Sequence, residues 1–322
     1  MDNDFIRALH NEEHSSTPVW YMRQAGRYLQ QYRDLREEMG ILELCHRPDR
    51  ASEISYIAAR ETGADAAIIF SDISIPMENM GYSIDFVEGK GPVFSEKKEV
   101  NNAPSHPAAD AIREFRKNHH DLPVIGFTGA PFTIFCYMDG KKKEDAKTRM
   151  IMDRENSMNT LKNIGKTIQL EAIAQVEAGA DAIQIFDSWI GMLGLDLARP
   201  VIEQIVAPIV QAIRSRNVPV IYFSMGTSAF FKTIMKTGAD FINPDWSVPV
   251  SNFGSENTGI QGNLDPDIVL HNPSLAVQLA GSMAYSMKDH RKYIFNLGHG
   301  VLPGTDVQAL RDITKAVKKV IL

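Results

Sequence analysis

The sequence predicts an α/β fold, a single (β/α)8 TIM barrel with a small β-hairpin excursion after the second strand. The first observation is a recurring block. Thr62-Gly63-Ala64-Asp65-Ala66-Ala67-Ile68-Ile69-Phe70 is matched by Ala178-Gly179-Ala180-Asp181-Ala182-Ile183-Gln184-Ile185-Phe186, and Thr237-Gly238-Ala239-Asp240-Phe241-Ile242 repeats its core. Each copy closes a helical pattern and enters an apolar run short enough for a buried parallel strand. The second is alternation: eight candidate strands are separated mostly by helical patterns. The third is continuity. No linker or low-complexity stretch divides the 322 residues, so 1–322 reads as one domain, within the range of barrels. An open doubly wound sheet is the alternative, weakened because no strand is followed by a G-x-G-x-x-G turn.

In chain order the strands are Val19–Met22, Ala66–Phe70, Val124–Phe127, Ala182–Phe186, Val218–Phe223, Phe241–Asn243, Gly259–Gly262 and Tyr293–Asn296. Gly63, Gly179 and Gly238 stand where a helix C-cap takes a left-handed residue. Fourfold spacing of Ile164, Ile168, Ala172 and Val176 predicts one intervening helix, and Val201, Ile205, Ile209 and Ala212 predict another over Pro200–Ile213. Tyr82–Phe94 reads as a hairpin turning at Glu88-Gly89-Lys90-Gly91, and Asn101–Pro107 as a loop. A last helix is expected from near Thr305, with Thr305 and Gln308 as its capping box. Val307, Leu310, Ile313, Val317 and Val320 form its buried stripe.

Composition narrows the partners. With a net charge of −6 the chain is a poor ligand for nucleic acid, and the one basic run, Lys141-Lys142-Lys143, continues into Glu144-Asp145 as a solvated loop. No apolar run approaches the roughly 18 residues that cross a bilayer. The acidic start Met1-Asp2-Asn3-Asp4-Phe5 carries no signal-peptide core, so a cytoplasmic protein without membrane contact is expected. Cys45 and Cys136 read as reduced, buried thiols.

In such barrels the chemistry lies past the C-terminal ends of the strands. In order, those positions hold Arg23 and Arg27; Ser71-Asp72; Thr128-Gly129-Ala130-Pro131, leading to Tyr137; Asp187-Ser188-Trp189; Ser224; Asp245-Trp246; Asn263 and Asp265; and Gly298-His299-Gly300. No lysine stands among them, which argues against a Schiff-base aldolase. Metal ligands would have to come from Asp72, Asp187, Asp265 and His299, and Asp187 with Asp265 would be the pair for a glycosidase. Arg23 and Arg27 suit a polyanionic substrate on this acidic chain, and Gly26 between them argues for a tight loop over a helix face. Asp72 is either a helix cap or a catalytic carboxylate. Tyr137 lies in an aromatic run that also suits core packing, Ser188 also suits a helix cap, and Asp187 suits a loop-holding role. His299, between two glycines, favours function.

Read as motifs, these strand ends carry a resemblance. Pro18-Val19-Trp20-Tyr21-Met22-Arg23-Gln24-Ala25-Gly26-Arg27-Tyr28-Leu29 resembles the N-terminal signature of the uroporphyrinogen decarboxylase family. Ile69-Phe70-Ser71-Asp72-Ile73, Gly129-Ala130-Pro131-Phe132-Thr133, Gln261-Gly262-Asn263-Leu264-Asp265-Pro266 and Asn296-Leu297-Gly298-His299-Gly300 are similar to later blocks of the same family, in the same order. The resemblance implies a barrel enzyme that removes carbon dioxide from the four acetate arms of uroporphyrinogen III, giving coproporphyrinogen III. It also implies a cytoplasmic homodimer with no metal or organic cofactor. Its substrate residues fall on Arg23, Gln24, Ala25, Gly26, Arg27, Asp72, Tyr137, Ser188 and His299, with Asp72, Arg23 and Arg27 as the catalytic set. Residues 137–159 and Tyr222-Phe223-Ser224-Met225-Gly226 depart from the family pattern. Two rivals remain: a related methyl-transfer barrel, which would need a His-x-Cys cluster where this chain has Gln261-Gly262-Asn263, and a non-catalytic tetrapyrrole-binding protein.

Overall fold

The computed structural model describes residues 3–87, 91–96, 104–138, 143–253 and 257–320. The strands are β1 (Ala67–Ile68), β2 (Tyr82–Val87), β3 (Gly91–Glu96), β4 (Val124–Gly129), β5 (Ala182–Asp187), β6 (Val220–Ser224), β7 (Phe241–Pro244), β8 (Gly259–Gln261) and β9 (Tyr293–Ile294). Seven of them form one parallel sheet in the order β1-β4-β5-β6-β7-β8-β9. Helices cross from one strand to the next, as parallel pairing requires. β2 and β3 form a separate antiparallel ribbon. Their expected turn at Glu88-Gly89-Lys90, the start of the 141–145 loop and the first part of the Asn101–Pro107 loop lie outside the described residues, and from Lys143 that expected loop is corrected to the helix Lys143–Met152.

The recurring block does more than end helices. Gly63, Gly179 and Gly238 take the expected left-handed φ of 68°, 103° and 73°. The aspartate two residues on then makes the same pair of bonds each time. Its carboxylate accepts the N–H of Val19, Val124 or Val220 at 2.7 to 2.9 Å. Its own N–H donates to the carbonyl of that same valine at 2.7 to 2.9 Å. A cation backs each aspartate: Lys318 on Asp65, Arg116 on Asp181 and Arg214 on Asp240. Each block thus fastens the start of a neighbouring strand segment.

The first expected strand, Val19–Met22, is corrected by the structure. Its sheet contact is a single bridge, Val19 to Phe295. Side chains replace the missing ladder bonds: Asn296 Oδ1 accepts from the Met22 N–H at 3.1 Å. On the other flank the Gln24 amide donates to the Ala66 carbonyl and accepts from the Ile68 N–H, both at 3.2 Å. Pro18 has no N–H to offer, and Arg23 turns the chain with a left-handed φ of 59°. The segment still joins the two outer strands of the sheet. The last helix is also corrected. It spans Val307–Lys318, and Asp306, not Thr305, caps it by accepting from the Gln308 N–H at 2.9 Å. The carboxylate one residue on is the better-placed acceptor, and Thr305 is buried. The Ile164–Val176 pattern lies within the helix Arg154–Glu177. Pro200–Ile213 lies within a continuous helical stretch from Leu195 to Arg214.

Inside the sheet, a fully buried polar layer joins four segments. Trp20 Nε1 donates to Gln261 Oε1 at 2.8 Å, and Gln261 Nε2 donates to Gln184 Oε1 at 3.1 Å and Asn243 Oδ1 at 2.7 Å. Polar groups this deep cost stability unless paired, so the layer fixes how the segments stand relative to one another. Cys45 and Cys136 are buried thiols.

Candidate active site

The loop after Met22 holds the two arginines. No helix begins until Gln30, which agrees with the tight loop expected from Gly26. Both guanidinium side chains are exposed. The stem of Arg23 crosses the α-carbon of Gly300, where an added Cβ would stand 2.5 Å from Arg23 Cδ. The Arg27 carbonyl accepts from Arg33 Nη1 at 2.8 Å. Gln24 is buried, its amide committed to the backbone at β1. Its carbonyl accepts from the Tyr28 hydroxyl. Ala25 and Gly26 are half-buried.

Past β1, Asp72 Oδ1 accepts from the Ser74 N–H at 2.9 Å and the Ser74 hydroxyl at 2.5 Å. The carboxylate therefore does cap the turn leading into the short helix Ile75–Met80. One oxygen serves that cap, which leaves the other for a second task. Burial raises the Asp72 pKa above the ordinary carboxylate value, while the Ser74 bonds and the charge of Arg23 pull it down.

Past β4, Tyr137 rides on the helix Pro131–Met138. Burial raises its phenol pKa, offset by the neighbouring Trp189 side chain and by the charge of Arg23; Asp72 acts in the other direction. Past β9, the half-buried His299 ring stands edge-on to Phe223 at 5.8 Å and to Trp246 at 6.5 Å. Burial, and then the nearby Arg23 charge, press its pKa down to about 4, so the imidazole is neutral near pH 7.

The structure thus brings Asp72, Tyr137 and His299 within the electrostatic reach of one side chain, Arg23. Arg27 stands a step away: its charge and that of Asp72 both act on Tyr32. Ser188, half-buried after β5, makes no hydrogen bond to these groups among the described residues. Its neighbour Trp189 is the one whose side chain acts on the Tyr137 phenol.

Two features escaped the sequence reading. Rings form a row from strand to strand: Phe127 to Phe186 at 5.7 Å, Phe186 to Phe223 at 6.1 Å, then His299 and Trp246. The signal was a phenylalanine near the end of four expected strands, Phe70, Phe127, Phe186 and Phe223. The second is the role of Asp245, named from the sequence only as a strand-end residue: its carboxylate accepts from the Gly226 N–H at 2.5 Å and the Ser247 N–H at 2.9 Å. Asn263 adds bonds to the Asp245 and Val248 carbonyls, each at 2.7 Å. Of the glycosidase pair, Asp265 caps the helix Pro266–His271 and Asp187 is sealed inside. Among the described residues, no three His, Cys, Asp or Glu side chains gather as a metal site, and no helix is long and apolar enough to cross a membrane.

Comparison with known proteins bears on this site. The family model described as Uroporphyrinogen decarboxylase (URO-D) matches residues 1–320. A uroporphyrinogen decarboxylase of Picrophilus torridus is 37% identical over 98% of both chains. That of Koribacter versatilis is 36% identical over 97% of this chain and 95% of its own. Among solved structures, a methyltransferase from Methanosarcina mazei superposes with a TM-score of 0.78 at 18% identity, covering 98% of this chain and 97% of its own. That likeness speaks to the fold alone.

Proposed function

The chain belongs to the uroporphyrinogen decarboxylase family, and from this we infer that it decarboxylates the four acetate side chains of uroporphyrinogen III to give coproporphyrinogen III in porphyrin biosynthesis. The observation that carries the site assignment is the convergence of Asp72, Tyr137 and His299 around Arg23. The substrate is an octacarboxylate, and an acidic chain needs local cations to hold it. Arg23 and Arg27 supply planar forks that pair carboxylates and stay charged at any relevant pH. Tyr137, Ser188 and neutral His299 offer hydrogen bonds to further carboxylates, and the backbone of Gln24, Ala25 and Gly26 lines the same loop. The ring row from Phe127 to Trp246 gives the apolar faces of the pyrroles a dry surface.

The chemistry we propose needs no metal or organic cofactor. Protonation of an electron-rich pyrrole on carbon makes a cation. The carbon–carboxylate bond then breaks, its electron pair neutralises the ring, and carbon dioxide leaves. A proton taken up by the resulting exocyclic methylene and the loss of the ring proton complete a methyl group. Asp72 accepts the pyrrole N–H groups with the oxygen its cap leaves over. Its attraction grows as the ring becomes cationic, which is selective binding of the transition state. The arginines orient the acids at the rim.

For the architecture we propose a closed eight-stave barrel over one domain, 1–322. The support is that Asp65 holds Val19 as Asp181 holds Val124 and Asp240 holds Val220. The family resemblance supports a cytoplasmic homodimer. Incubation with uroporphyrinogen III, followed by separation of products by carboxylate number, tests the function. Accumulation of the tetracarboxylate is expected; binding with all eight carboxylates retained would leave a binding protein instead.

A further inference from the structure

Past β7 stands a carboxylate for which the reaction above has no use. The ladder between β6 and β7 ends with Ser224 opposite Pro244. Beyond it, Asp245 joins the two loops through its side chain. The residue is buried, and each carboxylate oxygen accepts one backbone N–H: Oδ2 that of Gly226 at 2.5 Å, Oδ1 that of Ser247 at 2.9 Å. Asn263, past β8, holds the same turn from behind. Its Nδ2 donates to the carbonyls of Asp245 and Val248, each at 2.7 Å. At the rim the exposed hydroxyls of Ser228 and Ser247 meet at 3.1 Å. A carboxylate that accepts two N–H groups makes a stronger clamp than neutral partners would. The backbone of 245–248 is therefore fixed at the mouth, the end of the sheet where the loops past the strands gather.

That backbone is the seat of the loop that carries His299. The α-carbon of Gly298 lies on the 245–246 peptide: an added Cβ would stand 2.6 Å from Trp246 N and 3.1 Å from the Asp245 carbonyl carbon. On the other side of His299, Gly300 lies under the stem of Arg23 with equally little room. Both glycines that flank His299 are thus close approaches, one to a backbone and one to a side chain. Main-chain bonds fasten the same loop at its two ends. The Gly298 N–H donates to the Leu264 carbonyl at 2.7 Å and the Val301 N–H to the Met22 carbonyl at 2.9 Å. Between these points the imidazole stands edge-on to the exposed Trp246 ring at 6.5 Å. A shift of the 245–246 peptide would move both the seat of Gly298 and the ring beside His299.

We propose that Asp245, with Asn263 behind it, is a positioning residue that sets the height of the 245–246 peptide and thereby the place of the His299 ring. It does not touch the substrate. Its effect on turnover rests on the reading of His299 as a substrate-binding group, whereas its effect on the ring in the free protein does not. Asp245→Asn keeps one acceptor oxygen and turns an amide NH2 toward the other N–H, so it opens one joint with almost no change of shape.

The test is therefore read first without substrate. In histidine-labelled protein the His299 ring resonances are assigned through His299→Gln. Trp246→Phe reports how they respond when the indole is taken away, and Asp245→Asn is expected to move them in the same direction. Asp240→Asn is the control. It loosens the opposite end of β7, where Asp240 accepts from the Val220 N–H, and should lower Tm without moving the His299 resonances. In turnover, Asp245→Asn should raise KM for uroporphyrinogen about tenfold, the scale of one hydrogen bond to a charged group. The rise should be far smaller in the His299→Gln background, because the two changes act on one contact. His299 resonances that stay in place in Asp245→Asn, or that move as far in Asp240→Asn, overturn the proposal, and so do additive effects on KM. If Asp245→Asn fails to fold, Asn263→Ala carries the same comparison from behind the turn. Resonance shifts in a protein that shows no decarboxylation would count against the function and leave the positioning intact.

Discussion

The Arg23 side chain lies across the α-carbon of Gly300, so the loop after Met22 and the last loop before the final helix meet at the mouth. A methyl group at position 300 would meet Arg23 Cδ at 2.5 Å and Nε at 3.0 Å. Gly300→Ala should push the guanidinium off its present line while leaving the fold intact. We expect kcat/KM to fall about tenfold or more, the scale of one charged hydrogen bond, with Tm little changed. Steady-state kinetics beside a melting curve checks it; unchanged kinetics would mean that this line is not the productive one.

Asp72→Asn keeps an oxygen for the Ser74 cap and removes the charge. The expected result is a folded protein whose kcat falls about a hundredfold or more, the scale of losing one group aimed at developing charge. Near wild-type turnover would restrict Asp72 to its capping role.

A pH effect on stability should arise away from the mouth. His106 Nδ1 lies 2.6 Å from Glu171 Oε2, and this bond raises the His106 pKa above 6.5. The folded state binds the proton more tightly than the unfolded one. The contribution is therefore complete below about pH 6.5 and is lost as pH rises through the higher folded value. Comparison of Tm at pH 6 and pH 8.5 should show a decline on the order of 1–2 °C from this source. His106→Gln should remove it; an equal decline in the variant would assign the effect elsewhere.

Two glycines with open space around them should respond in opposite directions. Gly238 has φ of 73° and Gly281 sits inside the helix Pro273–Ser286, and neither has an atom within 4 Å of an added Cβ. Gly238→Ala should lower stability by about 1 kcal/mol because the left-handed backbone disfavours a Cβ. Gly281→Ala should raise it by roughly 0.5–1 kcal/mol through helix propensity. Urea denaturation of the two variants decides both.

Much of the site was legible because barrel chemistry follows strand ends, a position that periodicity reveals. Arg23, Asp72, Tyr137 and His299 were all found that way. Gln24 was named with the binding loop, yet its side chain faces inward, which a one-residue step along an irregular loop does not announce. The segment at Val19 falls short of a strand because its apolar run is real while a single backbone bridge and side-chain bonds stand in for a full ladder. The polar layer of Trp20, Gln184, Asn243 and Gln261 left no trace in the sequence: its first bond spans 241 residues, and no local pattern encodes a partner that far away. The aspartate of the recurring block was read as a junction mark, and its grip on a neighbouring segment became visible only in three dimensions.

That Phe295 donates its N–H to the Pro18 carbonyl at 2.8 Å and accepts from Trp20 at 3.3 Å has a consequence for how the protein is made. During synthesis the N-terminal part of a chain emerges and begins to fold first. Here one flank of the loop of Arg23 and Arg27 can dock early on Ala66 and Ile68, but its other flank has no partner until Phe295 and Gly300 follow. Until then the arginines belong to an unfinished surface. Chains that stop short of residue 300 should appear in the cell as clients of chaperones, not as partial enzymes.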